Sequence, residues 1–388
     1  MHQFNMGRVP PVIFGLGRLS NVPALARGLA EGPVFVIADA VLAELGLTDH
    51  LTSMLRTKGI SFELAATVSG EPKEAFVDDL CTQARELKAA VVVGMGGGAA
   101  MDASKLAAAV ARSGQRVEDF ALAAQPLPSE RIPTIAIPTT AGTGSEVTRT
   151  SVISKADGSK TLFWGEALMF SQAVLDPELT VSLPPHITAW TGIDAVAHAL
   201  EGSTARTTSP AGQIYGLEAL RLLAEFLPKA VEDGQDLEAR GRVLWASLVA
   251  GLALHNCNTH MGHNISHALG SLVRIHHGLA TGLALEVSLP ILTERPEGAE
   301  NYAKAATALG APAQAAALPE ALSKLMRACG IVRELPAECA DVRREVLTHE
   351  MKNAANIGMA QNSACHLSEA DMDDLARRVL QIPIAKAA

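Results

Sequence analysis

The chain has 388 residues, 48% hydrophobic and 19% charged, with a net charge of −9. That length predicts two domains with a large core, and the composition excludes a disordered protein. The acidic balance, without a Lys/Arg cluster, argues against nucleic acid as a partner.

The N-terminus, MHQFNMGRVPPVIFG, lacks the basic start and apolar core of a secretory signal. From there strand-like and helix-like segments alternate. Val34–Ala38 reads as a strand ending in Asp39, with a helical stretch from Val41. Ser61–Leu64 is a second strand and Lys73–Lys88 a helix. Ala89–Val93 is a short apolar run of the buried parallel kind, followed by Gly94-Met95-Gly96-Gly97-Gly98 and a helical stretch through Lys105. Strand, glycine turn and helix N-terminus together make a cradle for pyrophosphate, although the spacing differs from G-x-G-x-x-G. Ile132–Ile137 is a further strand, and 150–176 reads as a hairpin and strand completing the layer. This alternation predicts a parallel sheet covered by helices.

After Leu183-Pro184-Pro185 the texture changes, and from His186 onward Ala- and Leu-rich helical segments replace strands. We place the boundary near 180–185, giving an α/β nucleotide-binding domain over 1–182 and an all-helical domain over 183–388. The longest apolar helical stretch, Val243–Leu254, is too short to span a bilayer. Five scattered cysteines without a C-x-x-C pair suggest reduced thiols and a cytoplasmic protein.

The second half holds the densest chemistry. Asp194 and His198 are four apart in GIDAVAHALEG, so both project from one helix face. His263 and His267 repeat that spacing in GHNISHALGSLVRIHHG, and His277 precedes Gly278. One carboxylate and three imidazoles form a mixed N/O set suited to zinc or ferrous iron. With the cradle in one domain and the ligands in the other, the reacting cleft is expected between them.

GMGGGAAMDASK, IPTTAGTGSEVTR, LDPELTVSLPP, GIDAVAHALEG and GHNISHALG…HHG together resemble the iron-dependent (group III) alcohol dehydrogenases, collinearly from about residue 5 to about residue 375. The resemblance implies an α/β plus all-α fold of the dehydroquinate-synthase-like kind. It implies Asp194, His198, His263 and His277 as ligands of a divalent metal, iron before zinc, with His267 as a nearby proton relay. It implies Gly96, Gly97 and Gly98 as the pyrophosphate loop and Asp102 near the nicotinamide ribose. Thr139, Thr140 and Thr143 match a second cofactor loop, with Lys160 beside it. Asp39 matches an acid on the adenosine ribose, where a carboxylate repels a 2′-phosphate and selects NAD over NADP.

The implied activity is hydride transfer between a small alcohol or aldehyde and nicotinamide, in a homodimer or larger assembly, without nucleic-acid or membrane partners. Within the family, maleylacetate reductases and glycerol dehydrogenases are alternatives. Asp194 counts against the first and the threonine loop against the second. A dehydroquinate-synthase-like lyase needs a basic cluster for its phosphate, and none lies near the ligands in sequence; a non-catalytic binding protein does not explain intact ligands with both loops. Two positions depart from the family pattern: Ala99 replaces the usual serine after the glycines, and Gln361–His366 replaces an Asn-Pro-Arg element that often borders the substrate pocket.

Overall fold

The computed structural model describes residues 3–385, so the outermost residues of both expected domains lie outside it. The chain divides into two compact units. One comprises Arg8–Thr140 and Gly144–Ser182; the other runs from Leu183 on and takes in the segment up to Gly7 and the short stretch Ala141–Thr143. A single cut at 182/183 therefore misses two excursions. Both have local causes: Gly7 N–H donates to Asn256 Oδ1, and Gly142 lies against Thr191.

The first unit is built on a parallel sheet. Its elements are β1 (Val12–Phe14), α1 (Val22–Leu29), β2 (Val34–Asp39), α2 (Ala40–Glu44), α3 (Leu47–Thr57), β3 (Phe62–Val68), α4 (Glu74–Glu86), β4 (Val91–Gly96), α5 (Gly98–Val110), β5 (Thr134–Pro138), β6 (Thr150–Ser154), β7 (Lys160–Trp164) and β8 (Gln172–Leu175). The six-stranded sheet runs β1-β8-β5-β4-β2-β3, every neighbouring pair parallel. Strands β4 and β5 are buried along their whole length and β2 along all but its last residue, which explains their near-continuous apolar runs.

One expectation needs correction, and one strand was not foreseen. The hairpin β6–β7 does not complete the main layer; it forms a separate antiparallel sheet, and only β8 joins the six strands. Strand β1 went unread because it is three residues long and follows two prolines.

Helix α5 is held from inside. The fully buried Lys105 ammonium donates to Ser145 Oγ (2.7 Å), Thr148 Oγ1 (3.1 Å) and Thr150 O (2.7 Å). Burial pulls Lys105 down to about 8, opposed by the nearby Asp102 and Glu146. Asp102, one turn earlier, accepts from Ser145 Oγ (2.6 Å) and Val152 N–H (2.8 Å). The helix is thus tied to the segment 145–152.

The second unit contains α6 (Pro185–Thr204), α7 (Pro210–Glu232), α8 (Leu237–Cys257), α9 (Met261–Leu272), α10 (His277–Thr293), α11 (Ala299–Ala308), α12 (Leu318–Ala328), α13 (Arg344–Met351), α14 (Ile357–Gln361) and α15 (Glu369–Val379). Pro185 at its first position starts α6, where a missing N–H costs nothing. From Gly192 to Thr204 every residue of α6 is buried, as befits a helix surrounded by α7, α8 and α10. No described strand follows residue 182. No described helix is long and apolar enough to cross a membrane.

Candidate metal centre and nucleotide cradle

Three helices of the second unit bring the ligand-type side chains together. Asp194 and His198 lie one turn apart on α6, His263 and His267 one turn apart on α9, and His277 is the first residue of α10. Donor atoms of Asp194, His263 and His277 all lie within 4.8 Å of one another. Asp194 Oδ1 stands 3.5 Å from His277 Nε2 and 3.7 Å from His263 Nε2. His198 joins through His263, their Nε2 atoms 2.9 Å apart and their rings stacked. His267 stands beside this set, its ring centroid 5.2 Å from that of His277 and 6.1 Å from that of His263.

The far nitrogens fix which atom each ring offers. His198 Nδ1 meets Gly142 O at 3.2 Å, and His263 Nδ1 meets Glu201 Oε2 at 2.6 Å. In both cases Nδ1 donates, which leaves the Nε2 lone pair facing the cluster. Burial lowers the pKa of His198, outweighing the nearby Asp194, so its ring is neutral as a ligand must be. Asp194 Oδ1 is buried and has no hydrogen-bond partner. An orphaned carboxylate oxygen among imidazole lone pairs fits a divalent cation of borderline character. His277, with 31% of its side chain exposed against 3–6% for the other three, marks the open side of the set.

Helix packing sets this geometry. Gly278 presses against α6 so closely that a Cβ there would stand 2.0 Å from Trp190 O. The absent side chain is what lets His277 reach Asp194.

Glu201 is the residue that sequence reasoning missed. It lies on α6 beyond His198, is fully buried, and touches His263 directly. Burial by itself would raise its pKa, but the His260 and His263 imidazoles and the His260 N–H hold the carboxyl below the ordinary carboxylate range. Its spacing was the available signal, since i, i+3 from His198 and i, i+7 from Asp194 fall on one helix face. His260, by contrast, is a core residue, its Nε2 bonded to Thr204 Oγ1 at 3.0 Å.

In the first unit, β2, β4 and β5 are adjacent and parallel, so their carboxyl ends bring Asp39, the glycines and Thr139 together. Asp39 Oδ2 accepts from Gly97 N–H at 2.7 Å, and Thr139 N–H donates to Gly96 O at 2.9 Å. Gly96 has φ +150°, and a Cβ there would fall 2.3 Å from Asp39 Oδ2, so no other residue fits. Thr140 borders Gly97, its Cγ2 and Oγ1 each 3.4 Å from where a Cβ would stand. Helix α5 begins at Gly98 with no side-chain cap, and Ala99 offers no hydroxyl, so its first N–H groups form a candidate anion site. Burial raises Asp39 to about 6, the Gly97 bond opposing it.

The remaining candidates lie elsewhere. Both carboxylate oxygens of Asp102 are engaged inside the fold, as described above. Lys160 sits on β7, paired with Glu71 at 3.2 Å. Thr143 belongs to the stretch that packs with the helical unit. Asn362 is buried and donates to the carbonyls of Cys257 (2.9 Å) and Thr259 (3.0 Å) while accepting from Thr207 Oγ1 (2.7 Å). That departure from the family pattern is an internal staple; its amide is not offered to a ligand.

Comparison with known proteins agrees across the chain. The profile "Iron-containing alcohol dehydrogenase" matches residues 10–177, and "Fe-containing alcohol dehydrogenase family, C-terminal" matches 188–380. The chain is 37% identical to a long-chain-alcohol dehydrogenase of Geobacillus thermodenitrificans over 273 residues, 70% of this chain and 69% of that one. It is 30% identical to an NAD-dependent methanol dehydrogenase of Bacillus methanolicus, covering 71% and 72%. Among solved structures, a sulfoacetaldehyde reductase from Bifidobacterium kashiwanohense in complex with NAD+ superposes with a TM-score of 0.87 at 28% identity, covering 98% of this chain and all (100%) of the other. With its metal-type cluster, its glycine cradle and these matches, the chain belongs to the iron-containing alcohol dehydrogenase family.

Proposed function

We propose that this enzyme interconverts a small alcohol and its aldehyde or ketone with NAD(H), using a divalent metal. The observation that carries the reading is the convergence of an orphaned Asp194 oxygen with the Nε2 atoms of His263 and His277. In this reading Asp194, His198, His263 and His277 hold the ion, iron first and zinc as the alternative. When bound, the ion supplies Lewis-acid polarisation of the substrate oxygen and lowers the alcohol's pKa.

The protein's own contribution is arrangement. His198 and His263 present unprotonated Nε2 atoms because Gly142 O and Glu201 take their Nδ1 protons. His267, outside the donor set but beside His277, carries the alcohol proton away. The uncapped start of α5, with Gly96, Gly97 and Gly98, holds the pyrophosphate, and Asp39 accepts from the adenosine ribose. Thr139, Thr140, Thr143 and Lys160 complete the cofactor contacts, while Asp102 supports the loop through Ser145 and Val152. The NAD-dependent methanol dehydrogenase and the NAD+ complex of the sulfoacetaldehyde reductase support NAD as the nucleotide. In this reading the stretch up to 182 serves the cofactor and the stretch from 183 on serves the metal.

Cytoplasmic residence and a homodimer or larger assembly belong to the same proposal. Five free cysteines support a reducing compartment. An edge strand β1 bearing exposed Phe14 and followed by exposed Leu16 supports association, which size-exclusion chromatography with light scattering tests.

The deciding experiment strips the metal, restores iron or zinc separately, and follows NADH oxidation against a panel of small alcohols and aldehydes. Turnover should require metal and vanish in Asp194→Ala and His263→Ala. His267→Asn should keep the metal and lose turnover. Tight metal and NAD binding without turnover on any substrate would overturn the reading.

A further inference from the structure

We infer that Glu201 is the positioning residue of the metal centre: its carboxylate locks His263 as the Nδ1–H tautomer and anchors the start of α9. The inference rests on the metal-dependent reading above and adds a residue that makes no contact with the substrate.

Three donors converge on this one side chain. Glu201 Oε2 accepts from His263 Nδ1 at 2.6 Å and from His260 N–H at 3.0 Å, and Oε1 accepts from Gly262 N–H at 2.6 Å. The carboxylate is wholly buried, and both its oxygens act as acceptors. A protonated acid or a glutamine brings at least one donor into that shell, so only the ionised carboxylate satisfies all three. Two of the donors are the backbone N–H groups at the N-cap and second position of α9, which that helix cannot satisfy within itself. No side chain of α9's own N-cap residue serves them. Glu201 therefore caps, from a neighbouring helix, the helix that carries His263.

The turn into α9 needs such an anchor. Asn258 has φ +59° and His260 has φ −140°, ψ −121°, an irregular pair immediately before the helix. Because Glu201 shares α6 with Asp194 and His198, one rigid element fixes three of the four candidate ligands: two directly and the third through the 2.6 Å bond to His263. With Nδ1 held as the donor, the His263 lone pair can lie only on Nε2, facing Asp194 Oδ1 and His198 Nε2. A tautomeric flip would put a proton where the ion must sit. Partners of this kind behind a ligating histidine typically change metal affinity by about 10–100-fold.

The test compares wild type, Glu201→Gln and Glu201→Asp as full-length metal-free protein. The first readout is the tautomer of His263, from imidazole 15N shifts assigned with a His263→Gln control. The second is zinc and ferrous-iron affinity by competition with a chromogenic chelator, with folding checked by circular dichroism. Wild type should show the Nδ1–H form. Glu201→Gln should fold, lose that form at least in part, and bind metal about 10–100-fold more weakly. Glu201→Asp, which keeps the charge on a shorter arm, should recover part of the affinity.

A folded Glu201→Gln protein with wild-type tautomer and wild-type affinity would overturn the inference. So would loss of stability with unchanged affinity, because that is a purely structural role. Failure of wild type itself to bind either metal would instead overturn the metal-dependent reading, so the two failures are distinguishable.

Discussion

Replacing Gly278 by alanine should damage the metal centre without touching a ligand. The added Cβ would stand 2.0 Å from Trp190 O, 2.9 Å from Trp190 C and 3.1 Å from Asp194 Cβ. The first two are backbone atoms inside α6 and cannot swing aside. A carbon–oxygen contact needs roughly 3.3 Å, so α10 must move off α6 by about 1.3 Å at this point. His277 is the neighbouring residue, and its Nε2 lies 3.5 Å from Asp194 Oδ1. A shift of that size far exceeds the tolerance of about 0.2 Å on metal–ligand distances.

Overpacking of this kind costs about 1–3 kcal/mol of stability. Metal affinity should fall at least tenfold, equivalent to about 1.4 kcal/mol. The assay is chelator competition on folded apoprotein, with denaturant midpoints measured in parallel. Gly282→Ala, one turn further along α10, is the control. Its Cβ would meet only side-chain atoms, Ile193 Cγ1 and Cγ2 at 3.2 Å and Met326 Cε at 3.4 Å, so affinity should be kept. A folded Gly278→Ala protein with wild-type affinity would refute the claim that this contact sets the position of His277.

Asp39→Asn should make the ligand-free protein more stable above pH 6 and leave it unchanged below pH 4. The folded pKa is raised from 3.8 to about 6, so between those values the folded state holds a proton that the unfolded state has released. Wild-type stability therefore falls as pH rises through that window, by roughly 1–2 kcal/mol once partial exposure is allowed for. Denaturant midpoints from pH 4 to 8 check this, and a gap that does not widen with pH refutes it. Asn362→Ala should lower unfolding stability by about 1–3 kcal/mol, read from denaturant unfolding, since it strands the Thr259 carbonyl while the Cys257 carbonyl keeps the Thr207 hydroxyl. Its KM for substrate should hold, because the amide faces inward; a changed KM in a protein of unaltered stability would show that the segment borders substrate after all.

The sequence was most readable where chemistry followed a helical period. Asp194 with His198, and His263 with His267, sit at i, i+4, and the helices place each pair on one face as the period requires. Which of the two α9 histidines joins the donor set depends on tertiary geometry, and there the family resemblance, not the spacing, separated His263 from His267. Glu201 stayed hidden because a glutamate on a helix most often faces water, and its partners lie about 60 residues further on (|i−j| = 59–62). The apolar runs of β2, β4 and β5 were plain, since strands buried on both faces carry nothing else. The hairpin's separation from the main sheet was not readable: alternation signals a strand but not its neighbour. Asn362 shows the same limit, because a departure from a family pattern marks a position without saying whether it faces inward.

The ammonium of Lys105, sealed beneath α5, has a consequence for how tightly a nucleotide can be held. A helix pinned from within by three hydrogen bonds has little left to order when an anion arrives at its N-terminus. The unsatisfied amides already point outward, so most of the electrostatic attraction appears as net affinity and little is lost to freezing a floppy loop. The cradle is then a template cast before its occupant arrives: the hydrogen-bonded amides in the body of α5 should exchange slowly with or without nucleotide, while the free amides at its start exchange quickly until an anion covers them.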